Sequence, residues 1–282
     1  MAGTRSMSSP TTRLAAEHPG LVRIGRLGWL AKGVVYGVAG VLALYLAAAS
    51  LGWSSSQEEA SQTGALKEVA EHRAGPLLLW ALAIGLFLYA AWRIVTAFLP
   101  GGHEAKDWAK RIGYVVSAIL YGSLGVLAVR LAQGDGGQQD GNQQVTDATQ
   151  RVMENAAGRW LIGLAGVVII AVGIYRMVKG VTQDVTDEMD TAEMSADRVR
   201  WAERLGVAGE IGRGIALALV GFFLVRAAWM FDAEEATGLD GALRRVVESW
   251  WGVLLVAALG LGFIAYGLYC ALTFPNRRLE AS

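Results

Sequence analysis

Apolar residues gather into six runs along this chain, near 29–50, 76–98, 112–132, 159–178, 211–231 and 251–273, and the charged residues collect between them. Each run is close to the ~20 residues needed to cross a ~30 Å hydrocarbon core. Backbone groups in lipid have no water to bond, so runs of this length are expected to be helices. Their many Gly and Val residues disfavour soluble helices but are tolerated in a membrane.

The runs come in pairs, and the pairs repeat. Gly33-Val34-Val35-Tyr36-Gly37-Val38-Ala39-Gly40 returns as Ala118-Ile119-Leu120-Tyr121-Gly122-Ser123-Leu124-Gly125, and again as Gly214-Ile215-Ala216-Leu217-Ala218-Leu219-Val220-Gly221. The spacing is constant: 121 − 36 = 85 and 221 − 40 = 181. In the second run of each pair, Gly75 maps to Gly158 and Gly252, and Trp92 maps to Tyr175 and Tyr269. Gly85 and Tyr89 likewise map to Gly262 and Tyr266.

The expected fold is therefore an all-α integral membrane protein. Its six transmembrane helices form three tandem two-helix repeats in a pseudo-threefold bundle, with short interfacial helices in the outer loops. Residues 1–22 are expected to be a disordered cytoplasmic tail, and 181–205 an acidic cytoplasmic linker. The repeats occupy 23–100, 101–180 and 206–278. Ala47-Ala48-Ala49-Ser50 looks loosely cleavable, but the first run is equivalent to internal runs, which argues against a signal peptide.

Lys and Arg set the expected orientation. Seventeen of the 25 lie on the side of the termini, including Arg26, Lys32, Arg93, Arg176 and Arg213, and eight lie opposite. Both termini are accordingly expected in the cytoplasm. The tryptophans Trp29, Trp53, Trp80, Trp108, Trp160, Trp229 and Trp250 sit near run ends, as an aromatic belt would.

Three sets of equivalent residues have mechanical meaning. Gly33 and Gly37, Ala118 and Gly122, and Gly214 and Ala218 place small residues four apart, which lets helix backbones approach. They are read as intramolecular packing, with a dimerisation face as the alternative. Thr63, Thr146 and Asp240 are expected to N-cap outer helices of about 8–10 residues. Those helices end at Gly75, Gly158 and Gly252, as elbows or as docking elements. Tyr45, Arg130 and Arg226 lie near the outer ends of the odd runs. They are read as snorkelling residues, or as partners of loop acids such as Asp232. The sharper reading is an outer vestibule for an anionic lipid head or solute.

Arg226-Ala227-Ala228, Gly238-Leu239-Asp240-Gly241-Ala242-Leu243-Arg244 and Tyr266-Gly267-Leu268-Tyr269-Cys270 resemble the bacterial, mostly actinobacterial, membrane family labelled domain of unknown function 1206. The resemblance covers about 22–278 and is weakest in the second copy, which has Asp147-Ala148-Thr149 in place of the Gly-Ala-Leu turn and Val172 in place of Tyr89 and Tyr266. It implies three two-helix repeats and a bacterial cytoplasmic membrane, and supplies no activity.

Composition narrows the chemistry further. The chain is 54% hydrophobic and 18% charged, and its formal net charge of +0 gives no field to attract nucleic acid. The single Cys270 excludes an intrachain disulfide, and its repeat counterparts, Arg93 and Arg176, suggest no base for a nucleophile. His18, His72 and His103 all lie outside the runs, so a haem held within the bilayer is not expected. No Walker loop or His-Glu-x-x-His pattern occurs. Ser117, Ser123 and Thr96 are the few hydroxyls within runs, where they normally satisfy backbone or bridge helices. No carboxylate lies deep in a run, with Glu210 at a border. The expectation is a non-enzyme without cofactor or metal, whose partners are membrane lipids or another membrane protein. A passive permease or channel for a small solute, anionic ones included, is the alternative.

Overall fold

A computed structural model describes residues 19–52, 66–67, 70, 75–98, 105–134, 141–182, 189 and 194–276. Among the described residues eight α-helices have defined bounds: α1 Pro19–Ser50, α2 Gly75–Phe98, α3 Ala105–Ala132, α4 Gly141–Met153, α5 Ala156–Thr182, α6 Ala196–Met230, α7 Leu239–Val246 and α8 Trp250–Thr273. Among the described residues there is no strand. Six of these helices contain stretches long and apolar enough to cross a membrane: Arg26–Ser50, Gly75–Phe98, Arg111–Ala132, Ala157–Thr182, Ala196–Met230 and Trp250–Asn276. The protein is a multi-pass membrane protein. Six crossings return the chain to its starting side, the terminal side; α4 and α7 lie on the opposite, loop side.

The helices form a ring in chain order. α1 packs on α2, α2 on α3, α5 on α6, α6 on α8, and α8 closes back onto α1. Every seam joins an odd run to an even one, and equivalent residues make equivalent contacts. A β-carbon at Gly28 would stand 2.7 Å from the Tyr89 Cβ, and one at Gly209 would stand 2.7 Å from the Tyr266 Cβ. Gly28 and Gly209 are 209 − 28 = 181 apart, the repeat spacing. Between repeats, a β-carbon at Gly40 would lie 2.6 Å from the Gly260 carbonyl, and one at Gly221 would lie 2.7 Å from that of Gly166. Lipid gives helices no hydrophobic reason to associate, so backbone approach through small residues supplies dispersion contact instead.

The sixth seam, between α3 and α5, is not packed. Both helices belong to the second repeat. Where the first repeat sets Gly85 against Ala31 and the third sets Gly262 against Gly212, the second carries Val168 and Val116. Where the others fit Tyr89 and Tyr266 onto glycine, it carries Val172 opposite Gly113. Val116, Val168 and Val172 are exposed, and a β-carbon at Gly113 would meet nothing within 4 Å. Only 22% and 11% of the apolar windows of α3 and α5 are buried, against 44–56% for the other four. The ring is open at this seam.

The small pairs lie at the packed seams. Gly33 and Gly37 face Gly267 and Cys270 on α8, Gly214 and Ala218 face Gly173 on α5, and Gly122 faces Ala90 on α2. Ala118 is buried. These contacts are within the chain.

Several expectations require correction. Helix α1 begins at Pro19, inside the segment expected to be a disordered tail, because proline is pre-organised for a first helical turn. Residues 196–205 of the linker, expected as a solvated cytoplasmic helix or loop, form the first turns of α6, which Ser195 caps by accepting from the Arg198 N–H. Met189 and Met194, also within that linker, are buried in the core. Asp184, Asp187, Glu188, Asp190 and Glu193 lie outside the described residues.

The caps are also misplaced. Asp240 sits inside α7, whose N-cap is Gly238, and its buried carboxylate accepts from Arg244 Nε at 2.8 Å. A carboxylate in the first turn complements the helix dipole without capping it. Thr146 lies in the interior of α4, which starts earlier and runs 13 residues, and its hydroxyl donates to the Ala236 carbonyl at 2.8 Å. Thr63 lies outside the described residues.

Gly158 and Gly252 belong to the spanning helices rather than ending the outer ones. A β-carbon there would stand 1.6 Å from the Val152 carbonyl oxygen and 1.8 Å from that of Val246. α4 and α7 thus both drive their last carbonyls into the next span at a glycine. Leu66 and Leu243, one repeat position, are both fully buried, and the second copy has Thr149 there.

Candidate functional site

Four basic residues counted as membrane flanks converge inside the bundle, on the terminal side of its middle. Lys32 on α1 and Arg213 on α6 occupy one repeat position, since 213 − 32 = 181. The third equivalent is Ser117, since 117 − 32 = 85. Arg93 on α2 and Arg176 on α5 are likewise equivalent, with Cys270 as the third copy. Lys32 is 3% exposed and Arg213 8%.

Aromatic rings line this centre. The Lys32 ammonium lies 4.9 Å from the Trp29 ring centroid, and 5.1, 5.2 and 5.3 Å from those of Tyr89, Tyr121 and Tyr266. The Arg213 guanidinium covers the same Tyr266 ring at 4.3 Å, and lies 5.3 Å from Tyr36. Cation–π attraction gives each contact roughly 0.5–2 kcal/mol, more where water is excluded. Trp29 is correspondingly not part of an interfacial belt: it is buried, and its Nε1 donates to Thr273 Oγ1 at 3.2 Å. Trp80, Trp108, Trp160, Trp229 and Trp250 are exposed, and Trp53 lies outside the described residues.

Among the described residues, one carboxylate pairs with Arg213 and Arg176 in this cluster. Glu210 accepts from Arg213 Nη1 at 2.6 Å and from Arg176 Nη1 at 3.0 Å. The Tyr89 hydroxyl oxygen accepts from Lys32 Nζ at 3.3 Å and from Arg93 Nε and Nη2 at 3.0 and 2.7 Å. A phenol oxygen has two lone pairs, so this acceptor is over-subscribed. The buried Nε atoms of Arg176 and Arg213 have no hydrogen-bond partner. Among the described residues, the donors of Lys32, Arg176 and Arg213 exceed the acceptors set against them.

The residues singled out at the loop side do not form such a centre. Arg226 pairs with Glu235 at 3.1 Å, and Arg245 binds the same carboxylate. The expected acid, Asp232, instead accepts from the Glu234 N–H in a 3-10 turn. Tyr45 is exposed, as is Arg130. No hydrogen bond or ion pair joins Tyr45, Arg130 and Arg226 among the described residues. Thr96 and Ser123 donate to the carbonyls of Trp92 and Leu120 in their own helices. Among the described residues no three His, Cys, Asp or Glu gather as metal ligands.

The repeat spacing itself could have revealed the centre. Aligning Lys32 with Arg213 and Arg93 with Arg176 places two cationic positions on faces that also carry the seam glycines.

The pattern of the domain of unknown function DUF1206 matches residues 27–99, 112–183 and 208–273, one match per helix pair. The chain belongs to the DUF1206 family. The uncharacterised protein YxxB of Bacillus subtilis (strain 168) is 33% identical to it over 254 residues, covering 89% of each chain. No solved structure matches the chain.

Proposed function

We propose that this DUF1206 protein is a non-catalytic binding protein of the bacterial cytoplasmic membrane, and that it takes up a lipid sideways at the α3–α5 seam. The observation carrying this reading is the one open seam in an otherwise closed ring. Its residues are apolar and face outward, as a surface meeting acyl chains requires. The non-catalytic part is supported by Glu210, the one carboxylate in the centre among the described residues, which is held by two arginines and so is a poor base. Cys270 is sealed against Gly33.

Orientation with both termini in the cytoplasm is supported by the basic residues, less strongly than a simple count suggests. Lys32, Arg93, Arg176 and Arg213 belong to the interior, leaving 17 − 4 = 13 terminal-side charges against eight. Reporter fusions at each end should respond as cytoplasmic; a periplasmic response would reverse this.

The lipid reading is tested by giving the second repeat the seam of the first. Val116→Ala, Val168→Gly and Val172→Tyr together restore that pattern. Native mass spectrometry of the protein released in mild detergent should show a retained lipid in the wild type and its loss in the triple variant. Equal lipid retention in both, or none in the wild type, would reject the seam as a lipid port.

A further inference from the structure

The geometry points to a binding site for a phosphate-type oxyanion at Lys32, Arg213 and Arg176; access from the bilayer, though not the charge argument, rests on the open seam. Lys32 is nearly sealed from solvent, carries three N–H donors, and has one oxygen acceptor, the Tyr89 hydroxyl at 3.3 Å. That oxygen is already taken by Arg93. Arg213 and Arg176 each spend an Nη1 donor on Glu210, and their buried Nε atoms have no hydrogen-bond partner. Among the described residues, Arg213 and Arg176 therefore share one carboxylate and Lys32 pairs with none, an excess of two positive charges; Lys32 and Arg213 are buried, and the Arg176 side chain is a third exposed.

Buried charges are ordinarily paired, and a buried donor left without an acceptor is destabilising. Within a membrane an ionisable side chain that faces the bundle interior commonly marks a ligand path. Aromatic rings offset part of the cost for Lys32, but they accept no hydrogen bond from the two Nε donors. A multi-oxygen anion matches what is left over. Its acceptors can meet donors arriving from α1, α5 and α6, and planar guanidinium forks suit phosphate oxygens. Ser117, the uncharged third copy of Lys32, lies on α3, a helix of the open seam. The chemistry is the same for a free phosphate and for the phosphate of an anionic lipid.

Thermal unfolding of the full chain in neutral detergent reads the site directly. The titrants are inorganic phosphate, short-chain phosphatidylglycerol, and sodium chloride at matched ionic strength. Phosphate or phosphatidylglycerol should raise the Tm of the wild type, and chloride should not. Lys32→Met should weaken that binding at least tenfold while leaving the ligand-free Tm unchanged or higher, because it removes a buried cation that no carboxylate pairs. A merely structural lysine would lower the ligand-free Tm instead. Lys32→Arg should retain binding, and provides the comparison if Lys32→Met fails to fold. Glu210→Gln, by removing the competing carboxylate, should bind more tightly than the wild type.

A response to phosphate alone assigns a free oxyanion; a response only to the lipid assigns a headgroup. Phosphate binding without lipid retention keeps this site and removes the lipid reading. Lipid retention that Lys32→Met does not alter keeps the seam and overturns this site. No response to either titrant also overturns it.

Discussion

A lysine held within a bilayer has to be stabilised by something other than water. For Lys32 that is four aromatic faces and one shared phenol oxygen. Arg213 differs because Glu210 meets it at 2.6 Å. Losing one partner of a buried pair typically costs about 3–5 kcal/mol. Arg213→Met and Glu210→Gln should therefore both lower the ligand-free Tm, whereas Lys32→Met should not. Equal destabilisation by all three would show that the rings and Tyr89 fully compensate Lys32. The glycines allow a separate check. Gly252→Ala would drive a methyl into the Val246 carbonyl at 1.8 Å, and overpacking of this kind costs about 1–3 kcal/mol or more. Gly113→Ala meets open space and should leave unfolding unchanged. If a thermal melt shows both alike, the described elbow is wrong.

At the scale of elements, the six spans and their pairing were legible because lipid imposes a length and a composition on any helix that crosses it. Small residues at i and i+4, repeated at fixed spacing, also predicted where backbones meet, as at Gly33 and Gly214. The outer helices were harder to read. Asp240 and Thr146 have capping side chains, yet Asp240 instead binds Arg244, and Thr146 bonds to the third repeat at Ala236. Capping depends on the backbone angle of one residue, which residue type alone does not fix. The cationic centre was hidden for a different reason. Lys32 and Arg213 lie near span ends, where a basic residue normally snorkels to headgroups, and only the packed phase of α1 and α6 turns them inward. An element-scale prediction follows: Thr146→Val should loosen α4 from the third repeat and raise amide exchange in α4. Unchanged exchange would mean that the bond to Ala236 contributes little.

Across the whole molecule, three similar hairpins form a ring with one unlike joint. The departure of the second copy, Val172 for tyrosine, was visible in the sequence. That it opens a seam was not, because the missing contact involves Val116, Val168 and Gly113 together. The first and third repeats supply the paired cations and the rings that surround them; the second supplies Arg176, Tyr121 and the opening. Division of this kind accounts for a repeat protein keeping one degenerate copy. The most direct measurement is a cryo-electron microscopy map of the wild-type protein in nanodiscs containing phosphatidylglycerol. The account predicts an α3–α5 gap holding acyl-chain density, and headgroup density within hydrogen-bonding distance of Lys32 Nζ and the Nε atoms of Arg176 and Arg213. A map with α3 packed on α5, and no density beside Lys32, would contradict it.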